Sequence, residues 1–489
     1  MTTISAPAPE VTTTGRPAPS VNAIAAVVIA AGIMSVLDTT VVNVALNQLA
    51  ASFHVPLSTI AWVSTAYLLA LATVIPLTAW AMGRFGAKRT FLTAIILFTL
   101  GSLLAGLAWN APSLIAFRVL QGLGGGLLMP VGMSMVMRAA DPKHMGRTTA
   151  LLGIPVLVGP LAGPILGGWL VDNAGWRWAF FINLPIAAVA LIGAVRVLAD
   201  EQPQPGRRLD LPGLLMLSPG LALLIYGVAT GGEHADFTRP SILAPTLAGL
   251  ALVIAFVLRA LRIQNPLLDL NLFRHRAFRS AAATLTLFNG AYFGSMLLGP
   301  LYWQLVRDTT ATEAGLLGIP QVLATGITMQ VAGRLIDRIP PGRIVLGGIS
   351  LAAFGFGLIT TQIHADSPYW AVSLAGAVMG VGVGATIMPT MTTAARTLPK
   401  DEMPAANTTL SIISQVASSV GIAAISVLLT TAMAREVPGA TLDSVARTVE
   451  RAAIAEPLAD AFRGTYGWAV LVLALAIVPA LLLPRKALS

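Results

Sequence analysis

Runs of about twenty apolar residues recur roughly every thirty residues along this chain. A helix of about twenty residues crosses the ~30 Å hydrocarbon core of a bilayer and satisfies its own backbone hydrogen bonds there. The pattern therefore predicts an all-α membrane protein with fourteen spanning helices. We number these spans 1 to 14: 21–44, 58–80, 90–109, 112–137, 147–170, 178–197, 210–230, 241–261, 278–302, 313–333, 343–362, 369–394, 406–431 and 466–484.

Basic residues fall mainly in alternate segments between the spans. If the N-terminus is cytoplasmic, 22 of the 30 Lys and Arg residues lie in cytoplasmic segments and three in the short outer loops. The long outer loop 432–465 carries four more, and its alternating pattern predicts a short amphipathic helix. Short loops rich in Lys and Arg stay in the cytoplasm. We therefore expect a multi-pass protein of the plasma membrane with both termini inside.

Composition excludes several other classes of protein. The chain is 56% hydrophobic and 10% charged, and its net charge of +9 is spread over single loops without a Lys/Arg stripe, which argues against nucleic-acid binding. With 0 cysteines, disulfides, thiolate chemistry and Cys-based metal sites are excluded. Walker-type, GxSxG, HExxH and metal-ligand spacings do not occur, so we expect neither a cofactor nor an enzyme. Residues 1–20, rich in Pro, Thr and Ala, are expected to form a disordered cytoplasmic tail.

The chain also repeats itself. Residues 121–163 align with 380–422 at a constant offset of 259, without a gap. The repeat predicts two six-span halves and a linker holding spans 7 and 8: 21–198, 278–489 and 199–277. A parallel repeat with a binding site between the halves is the architecture expected of a secondary transporter. A helical scaffold or a membrane enzyme with an old duplication is the alternative.

Asp38 is the acidic residue that lies well inside an apolar run. A carboxylate there costs about 2.5–3.5 kcal/mol on insertion scales and normally faces a cavity or a partner. Because low polarity disfavours the charged form, Asp38 could exchange a proton or attract a cationic ligand. The alternative is a structural Asp, bonded to a neighbour such as Thr39 or hydrated near the outer surface.

Arg118 is the one basic residue left inside an apolar run when those near the span ends are assigned to the loops. Its guanidinium stays charged, so it must pair or reach water. Gln121 lies one helical turn further on and shares its face. Arg118 could modulate the charge of a carboxylate or organise backbone carbonyls, and the alternative is snorkelling to the nearby outer surface.

Span 5 combines small residues with prolines. A glycine stripe at i, i+4 and i+8 lets another helix approach closely, and each proline weakens the helical hydrogen-bond ladder. We expect this span to act as a bendable gate between the halves, although static packing would explain the glycines alone. The predicted gating residues are Gly159, Pro160, Gly163, Pro164 and Gly167.

Several polar and aromatic residues lie inside or near apolar runs. They are candidates for lining a cavity that takes a hydrophobic ligand, and ordinary contacts between helices are the alternative. The candidate lining residues are Asn43, Trp62, Tyr67, Gln121, Asn289, Tyr292 and Gln330.

Four motifs resemble those of the major facilitator superfamily, and within it the fourteen-spanner drug:proton antiporters. They are Leu37-Asp38-Thr39-Thr40-Val41-Val42-Asn43-Val44-Ala45-Leu46, Arg118-Val119-Leu120-Gln121-Gly122, Gly159 to Gly168, and Trp176 to Pro185. A loop motif between spans 2 and 3 is partly kept, with Gly83 where the family often has an acidic residue. Its two copies supply the conformational loop residues Arg84, Gly86, Lys88 and Arg89, then Gly333, Asp337, Arg338 and Arg343.

The resemblance implies a major facilitator fold, two six-helix halves plus two extra helices between them. It implies a proton-coupled antiporter that exports hydrophobic or cationic small molecules such as drugs, antibiotics and dyes, with Asp38 and Arg118 handling the proton. A dedicated transporter of one metabolite, lipid or self-made antibiotic is the alternative. The expected partners are the substrate, protons and the lipid bilayer, and we expect a monomer.

Overall fold

The computed structural model describes residues 20–141, 145–200, 209–234, 237–263, 266–399, 402–437 and 451–484. Helices are the regular secondary structure of these ranges. In chain order they are α1 (Val21–Phe53), α2 (Leu57–Val74), α3 (Thr78–Phe85), α4 (Ala87–Gly106), α5 (Ala111–Ala139), α6 (Met145–Leu151), α7 (Ile154–Ala174), α8 (Trp178–Phe181), α9 (Asn183–Val197), α10 (Leu211–His234), α11 (Pro240–Ala260), α12 (Arg276–Ser295), α13 (Leu298–Leu305), α14 (Ala311–Leu317), α15 (Ile319–Leu335), α16 (Pro341–Gln362), α17 (Tyr369–Gly384), α18 (Ile387–Arg396), α19 (Met403–Glu436) and α20 (Arg451–Ala480). The tail predicted over 1–20 lies outside the described residues except for Ser20, which caps α1.

The predicted spans all fall on helices. Thirteen helical stretches of the described residues are long and apolar enough to cross a membrane, and α7, with 21 residues, occupies predicted span 5. Several spans are interrupted by a short break. Between α2 and α3, for example, a 3₁₀ turn over Ile75–Leu77 contains Pro76, which cannot donate a backbone hydrogen bond.

Helices α1–α9 and α12–α20 correspond to the two predicted halves, and α10 and α11 form the inserted pair. Helix α10 packs against both halves. Ser218 Oγ donates to the carbonyl oxygen of Thr73 on α2 at 2.6 Å, and Gly232 lies against the backbone of Ala423 on α19. The inserted pair therefore contacts both halves.

The described parts of the predicted outer loop 432–465 are largely helical. Helix α19 continues to Glu436 and α20 begins at Arg451, while 438–450 lie outside the described residues. Leu458 and Phe462 are fully buried, and the Phe462 ring lies 6.0 Å from that of Tyr302. In the described part of this loop, 451–465 extend the last spanning helix, and their apolar face packs against α13.

Direct contacts join the halves at one end of the bundle, which we call the basic end because it carries the segments 84–89, 261–275 and 336–340. There Gln330 Nε2 donates to the carbonyl oxygen of Ala150 at 2.9 Å, and Thr149 Oγ1 lies 2.8 Å from Thr392 Oγ1. At the opposite end a cavity lies between the halves, lined from both. The bundle is thus closed at the basic end and holds a cavity between the halves at the opposite end.

Candidate functional site: a buried ion pair and a central cavity

Close helix packing positions the polar residues of α5. A Cβ atom added at Gly122 would lie 2.5 Å from the Tyr67 carbonyl oxygen on α2. One added at Gly101 on α4 would lie 2.5 Å from the backbone nitrogen of Gln121. Side chains larger than hydrogen would separate these helices. The glycines therefore bring α2 and α4 against the segment of α5 that carries Arg118 and Gln121.

Asp38 and Arg118 form a salt bridge inside the first half. Arg118 Nη1 lies 2.5 Å from Asp38 Oδ2, and the side chains are 1% and 0% exposed, respectively. The sequence analysis predicted both residues as the proton-coupling pair, and the structure brings them into contact from α5 and α1. A buried charge normally needs such a partner, because desolvation of a lone ion costs several kcal/mol.

Two amides complete the coordination of the carboxylate. Gln121 Nε2 donates to Asp38 Oδ1 at 2.7 Å, and Asn183 Nδ2 on α9 donates to the same oxygen at 2.9 Å. Gln121 Oε1 accepts from Arg118 Nη1 at 2.7 Å, and Asn183 also donates to Ser102 Oγ at 3.0 Å. This cluster, the Asp38 network, ties α1, α4, α5 and α9 together.

Arg118 points into the half rather than towards its surface. Its Nε donates to the Val63 carbonyl oxygen at 3.0 Å, and its Cζ lies 4.1 Å from the centre of the Tyr67 ring. The Tyr67 hydroxyl in turn lies 3.2 Å from Ser35 Oγ. The snorkelling alternative therefore does not hold, since the guanidinium is held by α1, α2 and α5 inside the half.

The geometry of the Asp38 network suits an ionised carboxylate. Each of the partners described above donates to Asp38, and a protonated carboxyl group would need an acceptor for its own hydrogen. Protonation would weaken the bond to Arg118 and leave that cation without compensation, which costs about 3–5 kcal/mol for a broken buried pair. A change in the charge of Asp38 would therefore disturb the contacts that α1 makes with α5 and α9.

A cavity of about 580 Å³ opens between the halves at the end opposite the basic end. This volume is typical of sites for small molecules. The first half contributes Val44, Gly168 and Trp169. The second half contributes most of the lining, including the aromatic residues Tyr292, Tyr302, Trp303, Phe356 and Tyr466. Among the described residues that line the cavity, none is Asp, Glu, Lys, Arg or His.

The structure separates the predicted lining residues. Tyr292 lines the cavity, whereas Gln121 belongs to the Asp38 network and Tyr67 lies against Arg118. Gln330 joins the halves at the basic end, as described above. The other three are not among the cavity-lining residues. Asn43 is exposed and accepts a hydrogen bond from Ser64 Oγ at 2.9 Å, and the ring of Trp62 stacks on that of Tyr226 on α10, 5.6 Å away. Asn289 is buried, with 2% of its surface exposed. The presence of a polar residue within a span therefore did not reveal whether it lines the cavity, contacts the ion pair or joins two helices.

The glycine stripe of α7 faces α1 of its own half. A Cβ atom at Gly159 would lie 2.0 Å from Val36 Cγ1, and one at Gly163 would lie 2.0 Å from Thr40 Oγ1. At Gly167 the nearest atom is the Cα of Val41 at 3.1 Å. The stripe therefore lets α1, the helix that carries Asp38, approach closely, and the gating role of this span stays a prediction. The side chains of Pro160 and Pro164 lie outside the described residues.

The second copy of the loop motif forms a contact between the halves. Asp337 accepts hydrogen bonds from the backbone nitrogens of Gly146 and Arg147, at 3.0 and 3.2 Å, and pairs with Arg396. Gly333 packs against Ala150, since a Cβ atom there would lie 2.3 Å from the Ala150 Cβ. We call these contacts the Asp337 latch: Asp337 bonded to Arg396 and to the start of α6. Arg338 and Arg343 are exposed.

The first copy has a different structure. Gly86 joins α3 to α4 with φ 85°, a conformation that favours glycine, and Lys88 pairs with Asp200 at 3.3 Å within the same half. Arg84 is partly buried and Arg89 is exposed. With Gly83 in place of an acidic residue, this copy has no carboxylate equivalent to Asp337.

Two residues of these contacts were not singled out from the sequence. Asn183 was quoted only as part of the Trp176 to Pro185 motif, although a lone amide inside an apolar run was a usable signal. Arg396 was counted only as a basic residue of a loop. Its pairing with Asp337 depends on packing between segments 59 residues apart, which no local pattern reveals.

Comparison with known proteins agrees with this architecture. The family model described as Major Facilitator Superfamily matches residues 28–422. The "Multidrug resistance protein B homolog" of Mycobacterium tuberculosis is 42% identical over 88% of this chain and 80% of its own length. The "Multidrug export protein EmrB" of Escherichia coli is 31% identical over 79% of this chain and 76% of its own.

Solved structures share the fold at low identity. The human organic anion transporter MFSD10 (TETRAN) superposes with a TM-score of 0.62 at 14% identity, covering 94% of this chain and 100% of that chain. The proton:xylose symporter XylE gives 0.57 at 14% identity, covering 94% of each chain. The family match and the relatives together establish that the chain belongs to the major facilitator superfamily of membrane transporters.

Proposed function

We propose that the protein is a proton-coupled antiporter that exports hydrophobic, often cationic, small molecules across the plasma membrane. The observation that carries the proposal is the fully buried pair of Asp38 and Arg118, whose ionised carboxylate is held by donors alone. The names of the relatives, multidrug resistance and multidrug export proteins, support the substrate class.

The cavity supports hydrophobic substrates. Its described lining is mostly aromatic and aliphatic and contains no Asp, Glu, Lys, Arg or His, so a strongly hydrated ion would lose its water with little compensation. Aromatic faces attract delocalised cations by about 0.5–2 kcal/mol each. Neutral drugs and lipophilic cations therefore fit this cavity best. Asp38 is not among the lining residues, so the proton and substrate sites are separate here, and direct attraction of a cationic ligand by Asp38 is not part of the proposal.

In the proposed cycle, a proton reaches Asp38 while the cavity is open at the end opposite the basic end. Neutralisation of the carboxylate releases Arg118 and loosens α1 from α5, and the halves then reorient. The proton leaves at the other side as substrate binds. One charge moving down a 100 mV potential releases ~2.3 kcal/mol. This energy supports a substrate gradient on the order of 50-fold for a neutral substrate.

The test is substrate transport in proteoliposomes with an imposed pH gradient. Asp38→Asn keeps the size of the side chain but cannot ionise, so gradient-driven transport should fall at least about tenfold, while binding of a neutral substrate persists. Asp210→Asn is the matched control, because Asp210 also forms an ion pair, with Arg259 at 3.0 Å, far from the Asp38 network. Transport by Asp38→Asn at the rate of this control would refute the proton role.

A dedicated transporter of one compound remains the second candidate. A resistance panel in a host deleted for its own pumps separates the two, because protection against chemically unrelated hydrophobic drugs requires a broad site. Protection against a single compound would replace the multidrug proposal.

A further inference from the structure

A second cavity of about 580 Å³ lies between the inserted pair and the second half. It is a groove lined by α10, α11, α12, α19 and α20 and by the segment that leads into α12. On α19 it extends from Thr409 to Leu428, 19 residues apart, or about 28 Å at 1.5 Å per residue. That length approaches the ~30 Å hydrocarbon thickness of a bilayer. The groove therefore runs along the bilayer normal through most of the membrane.

The lining offers almost nothing to a polar occupant. Its polar side-chain groups are the indole N–H of Trp468 and the hydroxyls of Thr286 and Thr409. Each hydroxyl donates to a carbonyl oxygen of its own helix, at 2.9 and 2.8 Å. Ordered water needs two to four polar partners, which the described lining does not supply. An occupant must therefore be a hydrocarbon chain or a comparably apolar group.

Exposed arginines lie where the groove meets the basic end. Arg276 and Arg279 precede the lining residues Leu287 and Gly290 by 11 residues, about three turns, and so share their face of α12. Arg274 directly follows Phe273, which also lines the groove. In the part of the chain that the structure describes, no ion pair engages these three exposed arginines.

The acidic residues nearby already have partners. Asp269 accepts from the backbone nitrogen of Asn271 at 2.9 Å, and Glu402 faces His275 at 4.0 Å. The surplus charge at this mouth is therefore positive. Basic pockets beside spanning helices bind anionic lipid headgroups.

We propose that this groove is a binding site for an anionic phospholipid, with its headgroup on Arg274, Arg276 and Arg279 and an acyl chain in the groove. Gly290 lies 11 residues above Arg279, about 16 Å along α12. That distance matches half of the hydrocarbon thickness, the depth that a chain from one leaflet reaches. The bound chain fills the space between the inserted pair and the second half.

The test is native mass spectrometry of the full-length protein, delipidated and then given phosphatidylglycerol or phosphatidylcholine. Wild-type protein should retain phosphatidylglycerol in preference to phosphatidylcholine. One arginine near a membrane surface contributes about fivefold to the affinity for an anionic lipid. Replacing all three arginines by Gln should therefore weaken phosphatidylglycerol binding about 100-fold and remove the preference, whereas Arg196→Gln, an exposed arginine of the first half, should change neither.

A second variant tests the position of the acyl chain. A Cβ atom at Gly290 would meet only the Ala417 carbonyl oxygen, at 3.4 Å, so Gly290→Leu can fill the groove without a backbone clash. It should abolish binding of both lipids, whereas Gly347→Leu, where a Cβ meets nothing within 4 Å, should not. Unchanged phosphatidylglycerol binding by the arginine variant or by Gly290→Leu would overturn the proposal. Displacement of the lipid by an exported drug would also overturn it, since the groove would then be a substrate site.

Discussion

At the scale of single residues, one carboxylate organises the first half. Asp38 is held by Arg118, Gln121 and Asn183, which come from two other helices. Removing any partner leaves a buried polar group unsatisfied, which costs more than the hydrogen bond contributed. We therefore expect even substitutions that keep the charge of a network residue to weaken the network, because its hydrogen-bond geometry would be lost.

Arg118→Lys tests this sensitivity. The planar guanidinium bonds Asp38, Gln121 and the Val63 carbonyl oxygen together, a geometry that a point-like ammonium cannot reproduce. We expect pH-gradient-driven transport to fall at least about tenfold while the protein is still inserted in the membrane. The measurement is the efflux rate per amount of inserted protein. A wild-type rate in the lysine variant would show that only the positive charge matters.

The sequence allowed the two charged residues of this network to be predicted, because ionisable groups inside apolar runs are expensive and therefore conspicuous. Their contact was not predictable, since it depends on how Gly101 and Gly122 seat α4 and α2 against α5. Asn183 escaped attention for a related reason. A neutral amide within a span costs much less than a charge, so it stands out less.

At the scale of helices, apolar periodicity predicted every span, but contacts decide the role of each. The glycine stripe of α7 was predicted to let another helix approach closely in a span that acts as a gate between the halves. Its neighbours include Val36 and Thr40 on α1, two residues on either side of Asp38. The stripe thus fixes the helix that presents the carboxylate, and its effect on transport should pass through Asp38.

Gly163→Leu tests that role. The new side chain would overlap Thr40, whose Oγ1 lies 2.0 Å from the ideal Cβ position, and must push α1 away. Overpacking of this kind costs about 1–3 kcal/mol, so we expect a lower melting temperature together with a loss of proton-coupled transport. Gly347→Leu on α16 is the matched control, because its Cβ meets nothing within 4 Å. Normal transport by Gly163→Leu would mean that α1 tolerates displacement.

At the scale of the whole molecule, the described contacts between the halves at the basic end include the Asp337 latch. Arg396 and the start of α6 meet at the carboxylate of Asp337, so the latch exists only while the halves are together at this end. Negative charge at the N-terminal end of a helix is favourable. The repeat predicted two equivalent loops, yet Gly83 leaves the first without this carboxylate. Of the two loop copies, the second therefore supplies a carboxylate contact between the halves and the first does not.

Asp337→Ala should favour opening at the basic end. It removes the ion pair of Asp337 with Arg396 inside the second half and the hydrogen bonds from two backbone nitrogens of the first half, which cross the boundary between the halves. The natural chain contains 0 cysteines, so a single cysteine placed at Ala150 reports access to this boundary cleanly. We expect a membrane-impermeant thiol reagent to label it severalfold faster in the Asp337→Ala background. Equal labelling in both backgrounds would show that the latch does not control closure.

The most direct test of proton coupling is the release of protons by the purified protein when substrate is added. In weakly buffered detergent solution, a lipophilic cation should release close to one proton per protein from the wild type and from Asp210→Asn, and none from Asp38→Asn. Those results would place the exchanged proton on Asp38. Release of equal size from Asp38→Asn would contradict the account, because the proton would then be carried by a group outside the pair of Asp38 and Arg118.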